Sequence, residues 1–184
     1  MDELIDILHE DGSPTGTVLL KSEAHQSGLF HPTVHVWFYT KRGEVLLQQR
    51  GKTKATHPLL WDVSVAGHIA AGEAYEIAAV REVLEEIGLT IKPEQLEKIA
   101  VVKAMHTHPN GIQDNEFHQV YLCELTVPLS QLTKQESEVE ALQLKPLMRF
   151  AEETWGLAQT NAYVPHGSDY YKLICKEIQA RLKR

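Results

Sequence analysis

A predicted helix that carries a row of glutamates constrains this chain more than any other part of its sequence. Residues 74–87 have the apolar spacing of an amphipathic helix, and Gly88 follows at the position that a left-handed helix cap prefers. Glu82, Glu85 and Glu86 are separated by three or four positions, so a helix makes their carboxylates neighbours. Oxygen atoms clustered in this way are the ligands that Mg²⁺ takes in proteins.

The helix has a second interpretation, a solvated acidic face opposite a buried apolar stripe. Periodicity alone favours it, because acidic residues opposite an aliphatic stripe usually face water. Against it, Glu82 and Glu86 are like charges four positions apart, which costs a few tenths of a kcal/mol. Arg81 precedes Glu85 by four positions and can brace that carboxylate. In either case we expect the buried stripe to consist of Ile77, Val80, Val83, Leu84 and Ile87.

The same stretch resembles the Nudix box, a motif with a fixed spacing. The pattern is Gly, five residues, Glu, seven residues, Arg-Glu, an aliphatic residue, any residue, Glu-Glu, any residue, Gly and an aliphatic residue. Every specified position is matched, by Gly67, Glu73, Arg81, Glu82, Val83, Glu85, Glu86, Gly88 and Leu89. The resemblance implies an α+β fold of the α/β/α sandwich type, in which helices flank a mixed β-sheet and residues 67–89 form a loop–helix–loop catalytic motif.

The resemblance also implies a chemistry for the box. Glu82, Glu85 and Glu86 would be catalytic ligands of Mg²⁺ or Mn²⁺. Glu73 would support the site from the start of the helix, together with Gly67, Arg81 and Gly88. Water activated by the metal would attack a phosphorus atom of a small-molecule diphosphate linked to a moiety X, such as a nucleoside diphosphate.

Positions scattered over residues 1–125 resemble one Nudix branch, the isopentenyl-diphosphate isomerases. That resemblance implies a second metal site and a set of cations that hold the diphosphate. The metal-site positions are His25, His31, His68, Asp114 and Glu116, and the diphosphate-binding positions are Lys21, Arg50 and Lys54. Ordinary polar roles are the alternative for the three histidines. Glu116 is the candidate outside the box for a further metal ligand or a general base.

One position departs from the isomerases. Those enzymes have a catalytic cysteine just before the Gly-His of the loop, whereas this chain has Ala66 before Gly67. A methyl group cannot move a proton to or from carbon, and neither Cys123 nor Cys175 aligns as a replacement. We therefore expect an isomerase-like Nudix hydrolase. The alternatives are an isopentenyl-diphosphate isomerase-like enzyme and a non-catalytic nucleotide-binding domain of the same fold.

The composition limits the partners that we expect for this chain and the cellular compartment in which we expect it. The net charge of −7 disfavours binding to a nucleic-acid polymer, which requires a surplus of cations. The two cysteines form no disulfide framework, no apolar run is long enough to span a bilayer, and the acidic N-terminus lacks the basic region of a signal peptide. We expect a cytoplasmic protein without membrane contact. A homodimer is an alternative to a monomer, because dimers are the commonest oligomers.

The length of 184 residues predicts one domain, spanning residues 1–184. Within it we expect an N-terminal β-hairpin extension over about residues 1–30 and a C-terminal helix over about residues 168–183, with Ser168 as its N-cap. Residues 33–40 and 45–50 flank a turn and predict a second β-hairpin.

Overall fold

The computed structural model describes residues 2–156 and 161–183. Seven strands of this described part form one mixed sheet, in which β5, β4, β3, β8 and β7 lie side by side in that order, β6 pairs with β3, and β9 pairs with β4. The strands are β3 (His31–Tyr39), β4 (Glu44–Arg50), β5 (Trp61–Asp62), β6 (Val65–His68), β7 (Glu97–Thr107), β8 (Gln113–Glu124) and β9 (Val139–Pro146). The predicted hairpin of residues 33–50 is confirmed as β3 and β4.

The centre of the sheet is the parallel pair β3 and β8. All nine residues of β3 are buried, as expected for a strand covered on both faces. The register pairs His31 with Glu116 and Thr33 with His118. Because side chains alternate along a strand, the odd-numbered residues of β3 and the even-numbered residues of β8 lie on the same face of the sheet.

Helices cover both faces of the sheet, which confirms the α/β/α sandwich. On one face, α2 (Tyr75–Ile87) packs Ala79, Val83 and Ile87 against Val34, Val36 and Phe38 of β3. On the other face, α3 (Leu147–Thr154) and α4 (Ser168–Leu182) pack against Trp37 and Tyr39 through residues that include Phe150, Tyr171 and Ile174. Two short 3₁₀ turns, Pro93–Gln95 and Leu129–Gln131, complete the described elements.

The N-terminal part forms the predicted hairpin, followed by a short helix. Strands β1 (Leu4–Leu8) and β2 (Pro14–Leu20) pair antiparallel, and α1 (Lys21–Ser27) leads directly into β3. The backbone N–H of Gly72 donates to the Asp6 carboxylate at 2.8 Å, which fastens the hairpin to the loop before α2. This arrangement places α1 next to β8 and the end of β6.

Two expectations for the helices were wrong. Val83 and Ile87 of the predicted aliphatic stripe are buried, but Ile77 and Leu84 are about half exposed, whereas Glu82 and Glu86 are buried. The buried face of α2 is therefore rotated relative to the predicted stripe. The rotation occurs because the small residues Ala78 and Ala79 face the sheet and allow close packing. Helix α4 begins at Ser168 as expected, but its N-cap is Gly167, in a left-handed conformation with a φ of 91°, and no side chain caps it.

No helix in residues 2–156 and 161–183 has the length and apolarity required to cross a bilayer.

The predicted C-cap of α2 is confirmed, since Gly88 has a φ of 66° and its N–H donates to the carbonyl of Leu84.

Candidate active site

A cavity of about 660 Å³ opens at the end of the sheet where β3 and β8 begin. It lies on the face that carries α3 and α4, because its lining includes Thr33 and His35 of β3 and Glu116 and His118 of β8. The loop end of β6 and helix α1 form further walls. The lining also takes residues from the loop after β4, from the turn between β7 and β8 and from the segment before α4, so the cavity collects side chains from many separate parts of the chain.

Four ligand-type side chains meet in this cavity. One ligand atom from each of His25, His31, His68 and Glu116 lies within 4.8 Å of the other three. They come from α1, β3, β6 and β8, and the pairing of His31 with Glu116 follows directly from the strand register. Four of the five predicted positions of the second metal site therefore lie together.

The geometry and the donors of this cluster fit a divalent metal ion. Nε2 of His25 and Nε2 of His68 are 3.1 Å apart, close to the separation of about 3 Å for two nitrogens bound at right angles to one ion. Nε2 of His31 is buried and has no hydrogen-bond partner among the described residues, since Glu116 Oε1 is 3.5 Å away. A buried nitrogen without a partner is costly unless it binds something.

The fifth predicted position, Asp114, contacts His25, one of the four clustered side chains, and holds its ring in place. Its Oδ1 lies 2.8 Å from Nδ1 of His25, and its Oδ2 lies 2.7 Å from Nε2 of His108. Carboxylates that hold the second nitrogen of a ligating histidine fix the orientation of its ring. Burial alone lowers the pKa of His25, but Asp114 outweighs it and raises that pKa above its usual value.

The three glutamates of the box lie behind the loop that forms the cavity wall. Ala66, Gly67 and His68 line the cavity, whereas the described lining does not include the carboxylates of α2. Glu86 accepts a hydrogen bond from Gln48 Nε2 at 2.7 Å and lies 3.4 Å from the N–H of Ala66.

The three carboxylates have different surroundings. Glu82 pairs with Arg81 at 2.7 Å, and Glu85 is half exposed. Burial raises the pKa of Glu82 to about 7 and that of Glu86 to about 8. Buried carboxylates at neutral pH require a proton or a cation, which fits metal binding at this helix.

Arg81 holds the box together, with partners that differ in part from the expectation. Its guanidinium binds both carboxylate oxygens of Glu73 at 3.0 and 2.9 Å and the carbonyl of His68 at 3.0 Å. The predicted contact with Glu85 is present but longer, at 3.4 Å. The bidentate pair lowers the pKa of Glu73 and joins the start of α2 to the loop that ends β6.

The three predicted cations all line the cavity, but two are already paired. Arg50 binds Asp62 at 3.1 Å and makes two contacts with Thr56, and Lys54 pairs with Glu138. The backbone N–H of Lys21 donates to the carbonyl of Glu3 at 2.8 Å, but its ammonium group has no hydrogen bond or ion pair with any described residue. Among these three, Lys21 is therefore the cation that is free to meet an anionic ligand.

The cavity contains a second group of polar residues that we did not predict from the sequence. His35, His118 and His166 approach one another, with His35 and His118 stacked at a centroid distance of 3.9 Å. The available signal was alternation, because Thr33 and His35 on β3 and Glu116 and His118 on β8 repeat with period two. That pattern predicts one polar face only when the two strands are known to be neighbours.

Comparison with known proteins defines the class to which this fold and site belong. The NUDIX domain family model matches residues 29–164, most of the chain. The chain therefore belongs to the Nudix hydrolase family.

Three relatives show its place within the family. Nudix hydrolase 3 of Arabidopsis thaliana is 34% identical over 178 residues, which cover 94% of this chain but 23% of that longer protein. A Nudix hydrolase of Clostridium acetobutylicum is 29% identical, with 96% of this chain and 97% of the relative covered. An isopentenyl-diphosphate Delta-isomerase of Escherichia coli is 34% identical, and the match covers 69% of each chain.

A solved structure agrees with the fold. The protein DR0079 of Deinococcus radiodurans superposes with a TM-score of 0.67 at 18% identity, covering 92% of this chain and 98% of that one. The family model and the relatives confirm the resemblance to Nudix proteins and to their isomerase branch. The mixed sheet between helices is confirmed as well.

Proposed function

We propose that this chain hydrolyses a nucleoside diphosphate, or a related small-molecule diphosphate linked to a moiety X, with the help of a divalent metal ion. The observation that carries the proposal is the convergence of His25, His31, His68 and Glu116 in a cavity whose wall is the loop of a complete Nudix box. A divalent ion bound there would neutralise phosphate charge and lower the pKa of a water molecule.

The donor set suggests which ions the protein takes. Three imidazoles and one carboxylate suit a transition metal such as Mn²⁺ better than Mg²⁺, which prefers oxygen ligands. The carboxylates of Glu82, Glu85 and Glu86 suit Mg²⁺ or Mn²⁺, and we propose them as the ligands that act together with the diphosphate.

The chain's own residues would bind and orient the substrate. The Lys21 ammonium lines the cavity without a partner among the described residues and would hold a phosphate oxygen. Arg50 and Lys54 line the same cavity and would reach the diphosphate only by exchanging their carboxylate partners Asp62 and Glu138 for it. Glu116 would be a further ligand of that ion or, where the histidines alone hold the ion, the general base, because its carboxylate faces the cavity. Burial alone raises its pKa, but neighbouring histidines that include His31 and His118 outweigh this and keep that pKa well below its usual value.

The isomerase alternative is weaker because of one residue. Ala66 stands on the cavity wall where the isomerases have their catalytic cysteine, and no thiol replaces it in the lining described here. Both Cys123 and Cys175 are buried in the two cores on either side of the sheet. Burial raises the pKa of each thiol to about 12, so neither one can exchange protons with a bound substrate near neutral pH.

The test is a substrate panel with a matched variant. Nucleoside diphosphates, nucleoside triphosphates, nucleotide sugars, dinucleotides and prenyl diphosphates are incubated with Mg²⁺ or Mn²⁺, and phosphate products are measured. We expect metal-dependent release from at least one member of the panel and a loss of about 100-fold or more in Glu86→Gln. Binding of nucleotides with thermal stabilisation but no turnover would instead support a non-catalytic domain.

A further inference from the structure

The cavity has a second polar end, formed by three histidines that the metal cluster does not include. Each of these rings uses one nitrogen to bind a protein partner: His35 Nδ1 lies 2.7 Å from the Tyr170 hydroxyl, His118 Nδ1 lies 2.7 Å from Thr33 Oγ1, and His166 Nε2 lies 2.7 Å from Asp62. The other nitrogen of each ring has no partner among the described residues. All three residues line the cavity.

The hydrogen-bond chain fixes the tautomer of His35. The indole N–H of Trp37 can only donate, and it donates to the Tyr170 hydroxyl at 2.9 Å. Because the hydroxyl has no other acceptor among the described residues, its proton goes to Nδ1 of His35, which therefore accepts. Burial, with the neighbouring rings, keeps the pKa of His35 well below its usual value, so the ring is neutral and carries its proton on Nε2. His35 therefore presents a hydrogen-bond donor.

Asp62 fixes the hydrogen bond that His166 makes through Nε2. Burial alone raises the pKa of Asp62, but His166 and Arg50 outweigh it and hold that pKa well below the usual range, so Asp62 is a carboxylate. It accepts from Nε2 of His166 and from the backbone N–H of Val63 at 2.8 Å. The neutral form of His166 therefore has an acceptor at Nδ1, next to the donor of His35.

Glu116 joins the two ends of the cavity. Its Oε1 lies 3.5 Å from Nε2 of His31 and 3.8 Å from Nε2 of His68, whereas its Oε2 lies 3.4 Å from Nδ1 of His118. A diphosphate held at the metal cluster would thus have its organic end beside the three histidines. An aliphatic chain in that position would leave buried donors and acceptors without partners, which is costly.

We propose that His35, His118 and His166 form the subsite for the moiety X, and that this subsite selects a group with hydrogen-bond donors and acceptors, a nucleoside rather than a prenyl chain. The proposal rests on the proposed function for the diphosphate at the metal cluster. The donor at Nε2 of His35 and the unpaired Nδ1 of His166 would bind the polar edge of a base or sugar, and the stacked rings of His35 and His118 offer a flat wall.

The test compares substrates with and without X. In His35→Phe, which keeps a flat ring and removes the donor, we expect KM for a nucleoside diphosphate to rise about tenfold. KM for inorganic pyrophosphate, which lacks X, stays within twofold of the wild type. His106→Phe is the control, because His106 lines the same cavity outside the three-histidine group. An equal change for both substrates, or none for either, would overturn the proposal.

A binding measurement separates this inference from the proposed function. The imidazole nitrogens of the intact protein are observed by ¹⁵N NMR, and a nucleoside monophosphate is added without metal. We expect a spectrum of His35 with the proton on Nε2 and a selective shift of the His35 and His166 signals on titration. Unchanged signals at saturating nucleotide would refute the subsite even if the enzyme hydrolyses diphosphates. Shifts without turnover would support the subsite while the hydrolytic proposal fails.

Discussion

A carbon atom placed as a Cβ on Gly67 would lie 2.0 Å from Cδ of Glu82. The loop that ends β6 thus crosses directly over Glu82, the first of the three box glutamates on α2, with no space for a side chain. Gly67 does not have a left-handed backbone, so close approach rather than unusual torsion angles requires the glycine. This contact couples the cavity wall to the acidic helix.

Gly67→Ala should therefore displace either the loop or the Glu82 carboxylate. We expect the free energy of unfolding to fall by about 1–3 kcal/mol, as in other overpacked sites, and hydrolysis to fall by a larger factor than stability alone explains. Denaturant unfolding and initial rates under saturating metal measure the two effects.

A double-mutant cycle tests whether the clash with Glu82 causes the loss of stability in Gly67→Ala. Glu82→Ala removes the atoms nearest to the added methyl group, so Gly67→Ala should cost less stability in the Glu82→Ala background than in the wild type. Equal costs in both backgrounds would show that the clash with Glu82 is not the reason for the glycine.

The buried carboxylate of Glu86 should make the metal-free protein sensitive to pH. Its pKa is about 8 in the folded protein against an ordinary 4.5, so the folded state binds the proton more tightly. Its contribution to stability is complete below pH 4.5 and is lost as the pH rises through 8. We expect Glu86→Gln, which stays neutral, to lose less melting temperature between pH 6 and pH 9 than the wild type does.

Thermal unfolding in the presence of a chelator gives the comparison for Glu86→Gln. The same variant should lose metal-dependent hydrolysis, so stability and activity move in opposite directions at pH 9. Parallel pH profiles of wild type and variant would contradict the assignment of a buried, proton-binding carboxylate.

Removal of one histidine from the cluster should weaken metal binding more than removal of a nearby histidine outside it. We expect His31→Ala to lower the affinity for Mn²⁺ at least about tenfold, because a ligand is lost from a closed set. His106→Ala, a change of the same kind in the same cavity, should leave the affinity within twofold. Isothermal titration with Mn²⁺ measures both, and equal affinities for the two variants would remove His31 from the ligand set.

The residue at position 66 should separate hydrolysis from isomerisation. Incubation of the wild type with isopentenyl diphosphate in D₂O should give no deuterium at carbon, because Ala66 cannot transfer a proton. Ala66→Cys tests whether the thiol is the missing group. Deuterium incorporation by the unmodified protein, detected by mass spectrometry, would show that another residue supplies the proton and would favour the isomerase alternative.

The parts of the fold with local signals were predictable from sequence. The hairpin of β3 and β4, the helix 75–87 and its cap at Gly88 depend on nearby residues, and each is present. The burial of Glu82 was not predictable, because a helical wheel orders side chains without showing which side faces the sheet. The small side chain of Ala79 decided that orientation through packing.

The residues of the candidate site were likewise predictable in part. Motif spacing identified the box glutamates, and a resemblance identified His25 and Glu116, which the structure brings together. The three-histidine subsite depends on the parallel pairing of β3 with β8 and on the contact of Tyr170 with His35, both of which join residues far apart in sequence. Such contacts appear only once the topology is known.

Anomalous diffraction from crystals grown with Mn²⁺ and a non-hydrolysable nucleoside diphosphate analogue would locate the metal and the diphosphate together. We expect a Mn²⁺ peak within bonding distance of His25, His31, His68 and Glu116, with the diphosphate between that cluster and the box loop at Gly67. A diphosphate bound outside this cavity, or crystals with no Mn²⁺ at either the histidine cluster or the box glutamates, would contradict this expectation.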